Sequence, residues 1–208
     1  MKKKLLSLTL LIATSLHLIA QDTIPSEDPR KIQVAILFDT SNSMDGLIDQ
    51  AKSRIWNIVN EIASLTYNGQ TASLEIALYE YGNDGLSESG NYIRQVLNLS
   101  SDLDEISQKL FGLTTNGGSE FCGAVIGKSL SDLKWSASLS DLKMIYIAGN
   151  ERFDQGSIDY KVTCKSAFEK SIYINTIYCG PYEQGVKDLW KDGSIVGHGD
   201  YFNIDSDK

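Results

Sequence analysis

Residues Ile32 to Phe38 are apolar on both alternating faces apart from Gln33, and Ile32, Val34 and Ile36 are β-branched. That pattern predicts a strand buried between two layers of helices. Polarity resumes abruptly at Asp39-Thr40-Ser41-Asn42-Ser43-Met44. From Gly46 to Leu65 the apolar residues Leu47, Ile48, Ala51, Ile55, Ile58, Val59, Ile62 and Leu65 recur at helical spacing, one stripe of an amphipathic helix. Asn68-Gly69 closes that element with turn chemistry. Leu74 to Tyr81 and Tyr92 to Leu97 read as strands joined by the polar stretch Gly82 to Gly90. Asp102, after Ser100 and Ser101, suits the N-cap of a helix carrying Leu103, Ile106, Leu110 and Phe111. Further on, the pattern predicts a helix from about Phe121 to Leu133, a strand at Leu142–Ala148, a helix at Ile158–Lys170 and a strand at Ile172–Tyr178. A short helix, Glu183–Lys191, and an edge strand, Asp200–Ile204, complete the series. Strands alternating with helices predict an α/β fold, a doubly wound, mainly parallel, Rossmann-like sheet with helices on both faces.

The start of the chain has a different character. Met1-Lys2-Lys3-Lys4 followed by the apolar run Leu5 to Ile19 reads as a secretory signal peptide over residues 1–20, with cleavage expected after Ala20. The run is too short and too interrupted by Ser and Thr to read as a membrane span. No cysteine stands at the junction, so a lipid anchor is not indicated. Residues 21–30, with Pro25 and Pro29, form an exposed leader, and residues 31–208 suit one domain. The formal net charge is −8, and removal of Lys2, Lys3 and Lys4 makes the remainder more acidic. With no basic cluster to offset it, that charge argues against nucleic-acid binding and against stable membrane insertion. An exported protein, periplasmic or extracellular, is expected.

Candidate chemistry begins where the first strand ends. Residues at i, i+2 and i+4 of an extended segment point the same way, so the Asp39 carboxylate and the Ser41 and Ser43 hydroxyls can converge above the sheet edge. Three hard oxygen donors suit Mg²⁺; the alternative is a polar loop whose Ser and Asn cap the following helix. A buried strand, Asp-x-Ser-x-Ser-Met and an amphipathic helix together resemble the von Willebrand factor type A domain and its metal-ion-dependent adhesion site, from about Lys31 to the C-terminus.

The resemblance implies an antiparallel edge strand as the third strand, and a second metal-site hydroxyl from the loop Thr114-Thr115-Asn116-Gly117-Gly118-Ser119-Glu120. Ser119, directly after the glycine pair, matches that hydroxyl; Glu120 is a second candidate and Thr115 a third, with simple helix capping as the alternative. The acid that the family places at the end of a later strand falls at Asn150, which offers an oxygen but no charge, so the implied Mg²⁺ or Mn²⁺ is weakly held. Glu151 or Asp154 could substitute from the same loop. The family also continues into one further helix, for which this chain leaves no room. The function implied is a non-enzymatic protein-binding module whose cation, held by Asp39, Ser41, Ser43, Ser119 or Glu120, and Asn150, captures a carboxylate on a partner protein.

Other chemistries are weaker. A metal-dependent hydrolase or phosphoryl-transfer enzyme could use Asp39, but phosphatases of the haloacid dehalogenase type need a second Asp two residues on, where this chain has Ser41. No G-x-S-x-G elbow accompanies the lone domain histidine, His198. Three cysteines allow one disulfide, with Cys122–Cys179 the first choice and Cys164 a buried thiol; neither a CxxC nor a Cys/His set argues for zinc.

Overall fold

The computed structural model describes residues 30–205; the expected signal peptide, its cleavage point and most of the leader lie outside them. In chain order the elements are β1 (Lys31–Asp39), α1 (Ile48–Ala63), β2 (Thr66–Tyr67), β3 (Gln70–Thr71), β4 (Ser73–Tyr81), β5 (Ile93–Ser100), α2 (Leu103–Phe111), α3 (Cys122–Asp132), β6 (Leu142–Gly149), α4 (Tyr160–Glu169), β7 (Ile172–Cys179), α5 (Tyr182–Lys187), α6 (Trp190–Val196) and β8 (His198–Ile204). The main sheet has the order β5-β4-β1-β6-β7-β8. β1 lies at its centre, parallel to both β4 and β6; only β5 runs antiparallel, at the edge, as the resemblance implied.

Alternation along β1 assigns its side chains to two cores. Val34, Ile36 and Phe38 pack with Ala51, Ile55 and Val59 of α1 and Ile106 and Leu110 of α2. Ala35 and Leu37 face the other way, against Val125 and Ile126 of α3, Cys164 of α4 and Trp190 of α6. Each large apolar side chain removed from water in this way contributes about 1.5–3 kcal/mol. A doubly wound sheet is therefore what the near-continuous apolar strands require.

Several boundaries need correction. Glu183–Lys191 is two short helices, α5 and α6, because Leu189 adopts a left-handed conformation, φ 71°, between them. α6 contains Gly193, a poor helix former that packing requires: a Cβ there would lie 2.5 Å from the Phe153 ring. The last strand starts earlier than expected, at His198. Asn68 and Gly69, both at positive φ, form the turn of a small β2–β3 hairpin. Cys122 and Cys179 do not pair: all three cysteines are free, and these two lie in the cores on opposite faces of the sheet.

Candidate functional site

Asp39 is the last residue of β1, paired in register with Tyr81 and fully buried. Two glycines make room for it. A Cβ on Gly82, just past β4, would lie 2.9 Å from Asp39 Oδ1, and one on Gly149, at the end of β6, would lie 2.9 Å from Asp39 Oδ2. Gly82 also has φ +77°, a conformation that side chains rarely tolerate. Below the carboxylate the Tyr81 hydroxyl donates to Ala148 O at 3.0 Å, tying the end of β4 to the end of β6 across β1.

The motif loop turns on the same carboxylate. Ser41 N–H donates to Asp39 Oδ1 at 2.8 Å, which ends the strand and starts a 3₁₀ turn, Asn42–Met44, held by the buried Met44 side chain. Ser41 Oγ and Ser43 Oγ lie 2.8 Å apart. Ser43 Oγ donates to Asn150 Oδ1 at 2.7 Å, while Asn150 Nδ2 donates to Ser43 O at 2.8 Å. Only an amide can both accept and donate in this way, since an ionised carboxylate has no proton to give. Neither the 3₁₀ turn nor α1 has a side-chain cap, so the capping alternative for the motif fails.

The second loop is seated from both sides. Lys52 of α1, buried, donates to Leu113 O at 2.7 Å, and Asn116 N–H donates to Thr40 O at 2.9 Å. Gly118 packs against the Gly82 carbonyl so closely that no side chain would fit. Of the three candidates, Glu120 is the one delivered to the centre. It is buried, and its Cγ lies 3.0 Å from the place a Gly82 Cβ would take, the same place that lies 2.9 Å from Asp39 Oδ1. Thr115 turns its hydroxyl to Asp45 instead. Ser119 is half-buried, and among the described residues no hydrogen bond joins it to Asp39, Ser41 or Ser43. The N-cap of α3 is Phe121, without a side-chain bond, so capping does not explain this loop either. Of the proposed substitutes for Asn150, Asp154 is occupied by a bidentate pair with Arg152, at 3.0 and 2.8 Å, and Glu151 is half-buried.

Electrostatics set this corner apart. Burial pushes the Asp39 carboxyl up to about 7, against the opposing pull of the Ser41 amide and hydroxyl and with a further push from the Glu120 charge. Burial also raises Glu120, followed by repulsion from Glu151. Asp39 Oδ2 has no hydrogen-bond partner although no solvent reaches it. An unsatisfied buried carboxylate oxygen is costly, and a cation is one way to relieve it.

Among the described residues no group of three or more His, Cys, Asp or Glu forms a metal cluster. The donors gathered here are instead two carboxylates, two hydroxyls and an amide, all offering oxygen, which fits a small hard divalent cation rather than zinc held by nitrogen and sulfur. Gly82, Gly149 and the clamp from Lys52 had not been anticipated. The two glycines were readable signals, each ending a strand where a side chain would have been unremarkable.

No protein-family model matches the chain, and no curated protein matches it in sequence. Solved structures do match in fold. BatB from Bacteroides thetaiotaomicron aligns with a TM-score of 0.63 at 17% identity, over 84% of this chain and 90% of that one. The SpRpn10 VWA domain aligns at 0.58 and 13% identity, over 84% of this chain and 88% of that one. Proximal thread matrix protein 1 from the mussel byssus, with a zinc-occupied MIDAS motif, aligns at 0.61 and 12% identity, over 86% of this chain but 43% of that one. The fold is that of a von Willebrand factor type A domain.

Proposed function

We propose that this chain, a domain of the von Willebrand type A fold, is an exported protein-binding module that holds a divalent cation at the end of β1 and captures a partner carboxylate through it. The observation that carries the proposal is the buried, unpartnered Asp39 Oδ2 beneath the hydroxyls of Ser41 and Ser43. Asp39 and Glu120 supply the charge, and Ser41 and Ser43 supply neutral oxygens. Asn150 orients Ser43: by accepting the hydroxyl proton at 2.7 Å it turns Ser43 Oγ into an acceptor, one lone pair taken by the Ser41 hydroxyl at 2.8 Å and the other left for an ion. That role needs an acceptor but no charge, which is why an amide can stand where the family has an acid. A bound Mg²⁺ or Mn²⁺ would act here as a Lewis acid that keeps a coordination position for an incoming oxygen. The fold supports an interaction module, and the signal-like N-terminus supports export.

Calorimetric titration of Mg²⁺ and Mn²⁺ tests this reading. The wild type is expected to bind one ion with an affinity on the order of 0.1–1 mM, typical of exchangeable extracellular cation sites. Asp39→Ala should abolish binding while the far-UV circular dichroism stays that of the wild type. Equal titration of both proteins, or metal-dependent turnover of phosphoesters by the wild type, would overturn it.

A further inference from the structure

The charge around the site is uneven in a way that speaks to the partner. Four loops lie beyond the carboxyl ends of the central strands, at 40–47, 82–92, 112–121 and 150–159, and they carry Asp45, Asp84, Glu88, Glu120 and Glu151 among their acids. Arg152 is the one cation among the described residues of these loops, and it is committed to Asp154. Asp45 and Asp84 are held against the loops of the site. Asp45 accepts from Thr115 of the second loop. Asp84 Oδ2 and Asn42 Nδ2 of the motif both crowd Gly117, at 3.0 and 3.3 Å from the place its Cβ would take. Glu151 follows Asn150 directly, just past the end of β6, and is half-buried. At the centre stands Asp39, fully buried, with Oδ2 unpartnered. The opposite end of the sheet mixes charges, Lys31, Lys134, Lys143 and Lys170 standing beside Glu75, Asp141 and Glu169, whereas the described loops at the site end carry several acids and one cation.

We infer that the partner surface taken by this site is basic, a carboxylate presented among lysine or arginine side chains. The inference rests on the cation-dependent reading above. A divalent cation between Asp39 and Glu120 balances those two carboxylates alone, and Asp45, Asp84 and Glu151 stay uncompensated around it. An incoming carboxylate set in an acidic patch meets these three as like charges. The same carboxylate flanked by cations gains from them, and like-charge opposition is one route to selectivity between otherwise similar ligands. The ion decides whether a carboxylate binds; the rim decides which carboxylate.

Fluorescence anisotropy with labelled synthetic nonapeptides tests this on the full domain. Three carry one central Asp flanked by lysine and glycine, by serine and glycine, or by glutamate and glycine; a fourth keeps the lysines and replaces the Asp by Gly. In Mg²⁺ the lysine-flanked Asp peptide is expected to bind about ten-fold or more tighter than the glutamate-flanked one, with the gap narrowing at high salt. EDTA should release it, the Asp-free peptide should bind weakly, and Asp84→Asn with Glu151→Gln should shrink the preference. Mg²⁺-dependent binding that ignores or reverses the flanking charge, or no binding of the lysine-flanked peptide in Mg²⁺, would overturn the inference. Equal binding in Mg²⁺ and EDTA would instead refute the cation-dependent reading on which it stands.

Discussion

β1 enters the core through a half-buried polar cluster and leaves it through one that is fully buried at Asp39, and the two are built differently. At the entry Gln33 donates to Glu75 at 2.7 Å and accepts from Ser136 N–H at 2.7 Å, while Lys31 Nζ reaches Glu75 at 2.8 Å. Asp141 uses both oxygens, on Lys31 N–H and the Ser136 hydroxyl. Lys143, only 3% exposed, donates to Ser136 O and Lys170 O at 2.9 and 2.8 Å. At the exit Asp39 Oδ2 has no partner. The carboxyl groups register the contrast. Burial works to raise Glu75, but the Lys31 and Gln33 hydrogen bonds outweigh it and hold the group below its usual range; for Asp39 burial wins, and the group rises to about 7. A satisfied polar cluster stabilises and specifies a fold, whereas an unsatisfied one in a strand-end crevice is where a ligand is expected.

The comparison breaks most visibly at the entry. Lys143→Ala would leave the Ser136 and Lys170 carbonyls without their donor and is expected to cost about 4 kcal/mol of unfolding free energy, measured by urea denaturation. Mg²⁺ affinity should stay near that of the wild type, since the site lies at the other end of the strand. A wild-type midpoint would mean that the entry cluster does not support the fold.

At the exit the sign reverses. Asp39→Asn in EDTA at pH 8 should raise stability by about 2 kcal/mol, because it removes a buried charge whose solvation is poor. The pH dependence follows from the raised carboxyl. Above about 7 the folded protein holds the group ionised at a cost; as pH falls through that value toward the usual carboxylate range, the folded state takes up the proton first and metal-free wild type gains stability. The advantage of Asp39→Asn should therefore shrink steadily between pH 8 and pH 4. A constant difference across that range, read from melts at each pH, would show that the carboxyl is not perturbed.

Asn150→Asp sharpens the comparison with a smaller effect. It removes the bond from Nδ2 to Ser43 O and adds a third acid near Asp39, so metal-free stability should fall by about 1 kcal/mol. Added charge should at the same time raise Mg²⁺ affinity several-fold. Thermal melts with and without Mg²⁺ would show a larger metal-induced shift than in the wild type.

The entry and exit of β1 were not equally legible in the sequence. Apolar alternation fixes strands strongly, and Ile32–Phe38, Leu74–Tyr81, Leu142–Ala148 and Ile172–Tyr178 all lie within observed strands. The buried run followed by Asp39, Ser41 and Ser43 was readable as a motif, but not for the reason spacing suggested: the extended segment ends at Asp39, and the 3₁₀ turn Asn42–Met44 is what brings the Ser43 hydroxyl beside that of Ser41. Contacts between loops far apart in sequence were not readable. Whether Ser119 or Glu120 turns inward depends on Gly118 resting against the Gly82 carbonyl. That Asn150 bonds both the hydroxyl and the carbonyl of Ser43 depends on two loops 107 residues apart meeting. The cysteine pairing failed for a simpler reason. Cys179 shares strand parity with Ile177 and so faces α1, while Cys122 opens a helix on the other side of the sheet.

The central claim is that the unsatisfied end of β1 is a cation site. Crystals grown with Mn²⁺ and measured at a wavelength where manganese scatters anomalously would locate the ion directly. The account predicts a single strong peak among the oxygens of Asp39, Ser41, Ser43 and Glu120, absent from crystals of Asp39→Asn; a peak elsewhere, or none at about 10 mM Mn²⁺, ten times the weakest affinity expected of such sites, would contradict it.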